Sequence, residues 1–182
     1  MVFLRSDEEF STFVAKKHPK TMRKEQFVCP YAVCDNLEEL PPQDAALLRM
    51  AHEAAHHAYA PYSKFQVGAA VRLANGEMVT GSNIENAAYP SGLCAERVAL
   101  FAAMARWPGV PIEALAVTAR SASKTIGQPV PPCGACRQVM AEAEQVSGIP
   151  LRVMCQGEVG KVFVFDGIAS LMPFVFLDKF LD

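Results

Sequence analysis

The stretch Leu151-Arg152-Val153-Met154-Cys155-Gln156-Gly157-Glu158-Val159-Gly160-Lys161-Val162-Phe163-Val164-Phe165 decides how this chain folds. Two short apolar runs, 151–155 and 161–165, are joined by a five-residue linker, 156–160. A parallel crossover needs about a dozen residues or more, so these two strands must pair antiparallel. Moving toward the N-terminus, residues 136–146 carry a helical pattern and 114–119 read as a buried strand. Ala95, Val98, Ala99, Ala102 and Ala103 mark a helix from Cys94 to about Arg106. Further back, strands at 65–74 and 77–81 flank Asn75-Gly76, a strong hairpin signal. The alternation predicts an α/β domain with a largely parallel core in a mixed five-stranded sheet. An N-terminal hairpin lies at one side, the last strand pair is antiparallel, and helices cover both faces.

Before the hairpin, Leu47, Leu48, Ala51, Ala55 and Ala58 form the stripe of a helix over 44–59, with Asp44 as its cap and Pro61 beyond its end. Residues 1–42 differ in character and read as a partly helical extension, leaving 43–182 as the main domain. Ser6-Asp7-Glu8-Glu9 is a capping box before Phe10, Phe13 and Val14, and His18-Pro19 stops that short helix. Lys16, Lys17, Lys20, Arg23 and Lys24 cluster there and read as a solvated face. Pro41-Pro42 marks the boundary.

A length of 182 residues, 51% hydrophobic and 20% charged, fits one domain plus an extension. Seventeen Lys and Arg against nineteen Asp and Glu leave a formal charge of -2, so no overall basic field exists to hold a nucleic acid. A small partner fits better. No apolar run approaches the roughly 18 residues of a membrane span, and the opening Met1-Val2-Phe3-Leu4-Arg5-Ser6-Asp7-Glu8-Glu9 is too acidic for a signal peptide. The expectation is a cytoplasmic protein. Its six cysteines are then expected as free thiols or metal ligands rather than disulfides, with Cys29, Cys34 and Cys155 as buried thiols.

Two zinc patterns compete. His52-Glu53-Ala54-Ala55-His56 matches the H-E-x-x-H of zinc peptidases. At about 100° per residue, however, His52 and His56 fall roughly 100° and 140° from the apolar stripe and are expected to face solvent. Tyr59 also stands where the longer peptidase motif requires glycine. The second pattern joins Cys94-Ala95-Glu96 to Pro132-Cys133-Gly134-Ala135-Cys136. Cys133 and Cys136 lie one turn apart at a helix start, and Cys94 begins another helix. Unpaired N–H groups and the dipole at such ends favour the thiolates that zinc requires. Three protein ligands leave a fourth position open, which marks a catalytic zinc site. A cysteine, x, glutamate, then P-C-x-x-C is the zinc-deaminase signature, with the glutamate moving protons rather than binding metal.

Read with their neighbours, these motifs resemble the short homotetrameric zinc-dependent cytidine deaminases of pyrimidine salvage. The resemblance spans about residues 44–176 and rests on Ala60-Pro61-Tyr62-Ser63-Lys64-Phe65-Gln66-Val67-Gly68-Ala69-Ala70, Gly81-Ser82-Asn83-Ile84-Glu85-Asn86-Ala87, Cys94-Ala95-Glu96-Arg97 and Pro132-Cys133-Gly134-Ala135-Cys136-Arg137-Gln138. It departs at the N-terminal extension and at Met172, where leucine is commoner. It implies a three-layer cytidine-deaminase-like fold and one Zn2+ per chain on Cys94, Cys133 and Cys136. Glu96 is then the catalytic acid-base, serving zinc-activated water and the N3 and amino groups of a cytidine or deoxycytidine base. It further implies that Asn83 and Glu85 hold the sugar, that Phe65 packs on the base and that the Ala95 backbone meets the amino group. Tyr62, Tyr89 and Phe176 match positions that complete sites across subunit contacts. Zinc with three thiolates leaves a site near -1, which Arg97, and more weakly Arg137, can offset by hydrogen-bonding the sulfurs. Blasticidin-type and nucleic-acid deaminases share the signature, but Asn83-Ile84-Glu85-Asn86 favours a nucleoside, and a non-enzymatic zinc module needs a fourth ligand, for which Cys155 is the one unassigned downstream candidate.

Overall fold

The computed structural model describes residues 22–181, so the expected capping box and short helix near the N-terminus lie outside it. In chain order the elements are β1 (Ala32–Cys34), α1 (Pro42–Ala55), β2 (Phe65–Leu73), β3 (Met78–Ser82), α2 (Ala95–Arg106), β4 (Ile112–Ser121), α3 (Gly134–Ser147), β5 (Arg152–Gln156) and β6 (Val162–Asp166). The strands form one sheet of six, ordered β1-β6-β5-β4-β2-β3.

β5 and β6 pair antiparallel from Arg152↔Asp166 to Gln156↔Val162, as their short linker requires. The expectation of a largely parallel core needs correction. Only β4 and β5 are parallel neighbours, because β2 inserts antiparallel between β3 and β4. β3, β4 and β5 nevertheless run in one direction, as their helical connections dictate. Chain alternation sets direction, whereas packing chooses the neighbour. The sixth strand, β1, comes from residues 1–42 and pairs with β6 through Ala32↔Val164 and Cys34↔Val162. Three residues are too few to show a period, so sequence alone does not reveal it.

The hairpin turns as Asn75-Gly76 predicts, although only Gly76 adopts positive φ, at 86°. Gly76 N–H donates to Leu73 C=O at 3.0 Å, giving a type I turn followed by a left-handed glycine, a common alternative to the mirror-image turn.

Helices lie on both faces. Leu47, Leu48 and Ala51 of α1 pack on Ala70, Ala114, Ala116, Met154 and Val164 on one side. On the other, Ala99, Leu100 and Ala103 of α2 and Met140 and Ala143 of α3 pack on Val71, Leu115, Val117 and Val153. Burying each large aliphatic side chain here contributes about 1.5–3 kcal/mol. The helix expected over 44–59 runs instead from Pro42 to Ala55 with Pro42 at its first position. Asp44 is no cap: it is 2% exposed and bonds Arg72 Nη1 at 3.0 Å and Arg152 Nε at 2.9 Å. The pairing is shared, since Arg72 Nε also bonds Glu113 at 3.2 Å, so neither Asp44 nor Arg72 depends on a single partner.

His52 does not face solvent as expected. It is half-buried, with Nε2 2.8 Å from Gln156 Oε1 and Nδ1 3.5 Å from Thr118 Oγ1. The central strands β4 and β5 reach under the polar side of α1 through Thr118 and Gln156, which a helical wheel cannot show. His56 is exposed and contacts Arg120. Of the three expected buried thiols, Cys155 is buried and Cys34 half-buried, but Cys29 is exposed.

Candidate active site

Two helix starts build the site. β3 passes close under α2 because residue 81 has no side chain: a Cβ there would sit 2.5 Å from the Ala95 carbonyl oxygen and 2.5 Å from the Ala99 nitrogen. Cys94 is the N-cap residue of α2, and Cys133 holds the same place on α3, with Cys136 in the first turn. Neither thiol caps its own helix by accepting from a backbone N–H, which leaves both sulfurs facing one another.

The three sulfurs lie within 4.8 Å of one another. Cys94 to Cys133 is 3.9 Å and Cys133 to Cys136 is 3.4 Å. Among the described residues this is the group able to hold a metal ion; His52 and His56 belong to no such group, and Cys155 stands outside it. Hydrogen bonding from the Cys136 thiol, then from Arg97 and Cys133, pulls Cys94 down to about 5 despite its burial. Cys136 is pushed up for the complementary reason, since it shares its proton with Cys94 and is buried. One thiolate is thus stable beside Arg97 without a metal ion, and holding three requires further positive charge among them. Three soft thiolate donors at two helix N-termini, open on one side to a cavity, fit zinc. Cys155, pushed up to about 12 by burial, is held as a thiol.

Glu96 follows one residue after the buried Ala95 and is itself 4% exposed. Burial, then the neighbouring Cys94 charge, raises its pKa above the usual carboxylate value. Such a group can carry a proton nearer neutrality, as general acid-base catalysis requires. Arg97 Nη2 donates to Cys94 Sγ at 3.6 Å, as the charge argument requires. Arg137 does not reach a sulfur: its Nε and Nη1 donate to the carbonyls of Pro132 and Leu171.

Cys94, Cys133, Glu96 and Arg97 open onto a cavity of about 860 Å³, large enough for a nucleoside. Phe65, Asn83, Glu85, Tyr62 and Tyr89 line the same cavity, so nine of the residues singled out from sequence converge there. Cys136 and Ala95 are buried behind it, and Phe176, 55% exposed, lies outside it.

Asn83 and Glu85 lie just past the end of a strand. β3 ends at Ser82, and the two flank Ile84, which bridges Tyr59 and Leu93. Asn83 prolongs the ladder with its side chain: Oδ1 accepts from Val67 N–H at 2.7 Å and Nδ2 donates to Phe65 C=O at 3.0 Å. Glu85 Oε2 accepts from the Tyr62 and Ser63 amides at 2.8 and 3.2 Å. The Ser63 hydroxyl, followed by those two amides, holds the Glu85 carboxyl below its usual range. Sequence reasoning missed Ser63 as the group that lowers the Glu85 pKa, and Val130 and Pro131 as cavity wall. The Pro131-Pro132 pair before Cys133 is the signal for the last two, since a donor-poor rigid segment there must pack through its side chains.

Comparison with known proteins agrees with this geometry. Residues 41–150 match the family model described as cytidine and deoxycytidylate deaminase zinc-binding region. The chain is 51% identical over 98 residues to a cytidine deaminase of Halalkalibacterium halodurans, covering 53% of this chain and 68% of that protein. To a cytidine deaminase of Mycobacterium tuberculosis it is 42% identical over 104 residues, covering 57% of this chain and 74% of that one. A crystal structure of cytidine deaminase from Burkholderia pseudomallei superposes with a TM-score of 0.62 at 41% identity, covering 72% of this chain and 97% of the other. The fold and site define a zinc-dependent deaminase class of α/β protein. The chain belongs to the cytidine and deoxycytidylate deaminase zinc-binding family.

Proposed function

We propose that this protein is a cytidine deaminase, converting cytidine and deoxycytidine to uridine and deoxyuridine with release of ammonia. One observation carries the reading: a cluster of three thiols gathered at two helix starts opens through Cys94 and Cys133, beside the buried Glu96, onto the same cavity as Asn83 and Glu85. Cys94, Cys133 and Cys136 would hold zinc, which when bound acts as a Lewis acid and makes a strong nucleophile of water near neutral pH.

Glu96 accepts one proton from the attacking water and delivers it to N3, then takes the remaining proton of the new C4 hydroxyl and gives it to the amine as the C4–N bond breaks. Its raised pKa suits both tasks, since the group must take and give a proton in one cycle. Phe65 offers its ring to the base, and the start of α2 at Ala95 presents main chain beside the reacting amino group. Glu85, kept ionised by Ser63 and Tyr62, accepts from a sugar hydroxyl, and Asn83 has a lone pair and an N–H left for another. Arg97 is the cation among the cavity residues and is engaged with Cys94. A 5′-phosphate would find no free cation among these described residues, which supports a nucleoside over a nucleotide.

Tyr62, Tyr89 and Phe176 are exposed, Tyr89 to 75%, and the first two form the cavity mouth with their rings 5.8 Å apart. We assign them to contacts between subunits of a homotetramer. Pyrimidine salvage in the cytoplasm fits the free cysteines. No described helix is long and apolar enough to cross a membrane. Residues 43–182 carry the proposed catalytic unit, with residues 32–34 added to its sheet edge.

Incubation with cytidine, following uridine and ammonia while metal content is measured, tests the reading. Stoichiometric zinc and product are expected, with zinc lost in Cys133→Ala and kept in His52→Ala. The reverse metal pattern would restore the peptidase-like motif and end this reading.

A further inference from the structure

The sequence leaves Arg137 as a weak candidate for balancing thiolate charge, and the structure gives it other work. Its backbone N–H donates to the Cys133 carbonyl at 3.0 Å, while its side-chain Nε donates to the preceding carbonyl, that of Pro132, at 2.9 Å. One residue therefore grips two successive carbonyls at the turn that carries a metal ligand. The segment Val130-Pro131-Pro132 leads into that turn, and its two prolines have no N–H with which to anchor it. The Pro132 carbonyl is the handle available, and Pro132 is buried.

The other end of the guanidinium holds the C-terminal tail. Arg137 Nη1 donates to the Leu171 carbonyl at 2.7 Å. Two turns along the same helix, Glu144 Oε2 accepts from the Ile168 amide at 2.9 Å, so α3 holds the segment 168–171 at both ends. The N-terminal segment backs this tail: Cys29 Sγ contacts the Ser170 carbonyl, and Tyr31 packs tilted against Phe163 and stacks on Phe165 of β6, with centroids 5.0 and 5.6 Å away.

We propose that Arg137 is a positioning residue for the metal site, clasping the turn 132–136 against the tail so that Cys133 and Cys136 are held ready for the ion. This rests on the zinc reading above. The role uses the planar fork of arginine, because one ammonium cannot replace two donors aimed at carbonyls on different segments. Residues that orient ligands without touching the metal typically cost about 10–100-fold in metal affinity when changed.

The test is zinc release from the loaded protein into excess chromophoric chelator, with thermal stability measured alongside. Arg137→Gln is expected to release zinc about 10-fold faster or more, and Arg137→Lys to recover only part of the difference. Glu144→Gln, which loosens the same tail but touches no ligand turn, is expected to lower Tm while leaving release within about 3-fold of the parent. Parental release rates in both Arg137 variants would overturn the clasp, as would equal acceleration by Glu144→Gln at equal loss of Tm. If Arg137→Gln does not fold, Arg137→Lys decides alone by the same rate. A parent that binds no zinc would overturn the proposed function itself, and the clasp with it.

Discussion

The two ends of the cavity are built on different principles. At the metal end, Cys136, Ala95 and Glu96 are buried, the ligands sit on helix starts, and neighbouring strands lock those helices in place. At the end proposed to hold the sugar, Tyr62, Ile84 and Tyr89 are exposed and the polar groups sit on irregular chain beyond β3. Chemistry that moves protons tolerates little displacement, so rigid elements carry it. Recognition of a flexible sugar can be shared among loops and, in an oligomer, with a neighbour. The metal end is complete in one chain, whereas the sugar end leaves aromatic surface uncovered.

The largest effect that separates the two ends is expected from Glu96→Ala. Zinc and fold should persist while kcat falls about 10²- to 10⁴-fold, the scale of general acid-base catalysis, with substrate binding less affected. Turnover and metal content measured on the same preparation check this, and normal turnover would remove Glu96 from the mechanism.

At the other end, Glu85→Gln should raise KM about 10- to 100-fold, the size of hydrogen bonds to a charged group, with kcat changed far less. The parent should also show a characteristic acid limb. Because the folded pKa of Glu85 lies below its ordinary 4.5, its contribution is present above that value and is lost only as pH falls through the lower, folded one. KM should stay flat from neutrality down to about 4.5 and rise below it, with no such rise in Glu85→Gln. A kcat effect that exceeds the KM effect would show that the division between the two ends is wrong.

Arg97→Gln should give the smallest of the three changes, about a 10-fold fall in kcat/KM, because Arg97 supports the thiolates without touching the reacting base. Kinetics with zinc saturating and then limiting would show whether the loss follows metal affinity. A variant indistinguishable from the parent in both would leave the helix ends to balance the charge.

The two ends also differed in how far they could be read in advance. The metal end was legible because its residues lie in two short contiguous motifs, and a helix start fixes geometry over three or four residues. The Asn83 and Glu85 pair was singled out from its motif, but local sequence does not show that β3 has already ended there or that the Asn83 side chain stands in for backbone. Ser63 went unassigned because its effect on Glu85 spans a loop closure that leaves no periodic trace.

By itself the sequence determined the alternation of strands and helices, the antiparallel final pair and the hairpin, all of which depend on local period, turn chemistry and linker length. It also singled out Cys94-Ala95-Glu96 and Cys133 to Cys136 as candidate motifs, each a property of one helix start, whereas the 3.9 Å meeting of Cys94 with Cys133 is tertiary. Tertiary structure alone decided that β2 stands between β3 and β4, that β1 extends the sheet, and that Asp44 and His52 turn inward to Arg72, Arg152 and Gln156. These are meetings between residues far apart in the chain. No local pattern records such meetings, because the free energy that selects them is burial and hydrogen-bond pairing summed over the whole packed core.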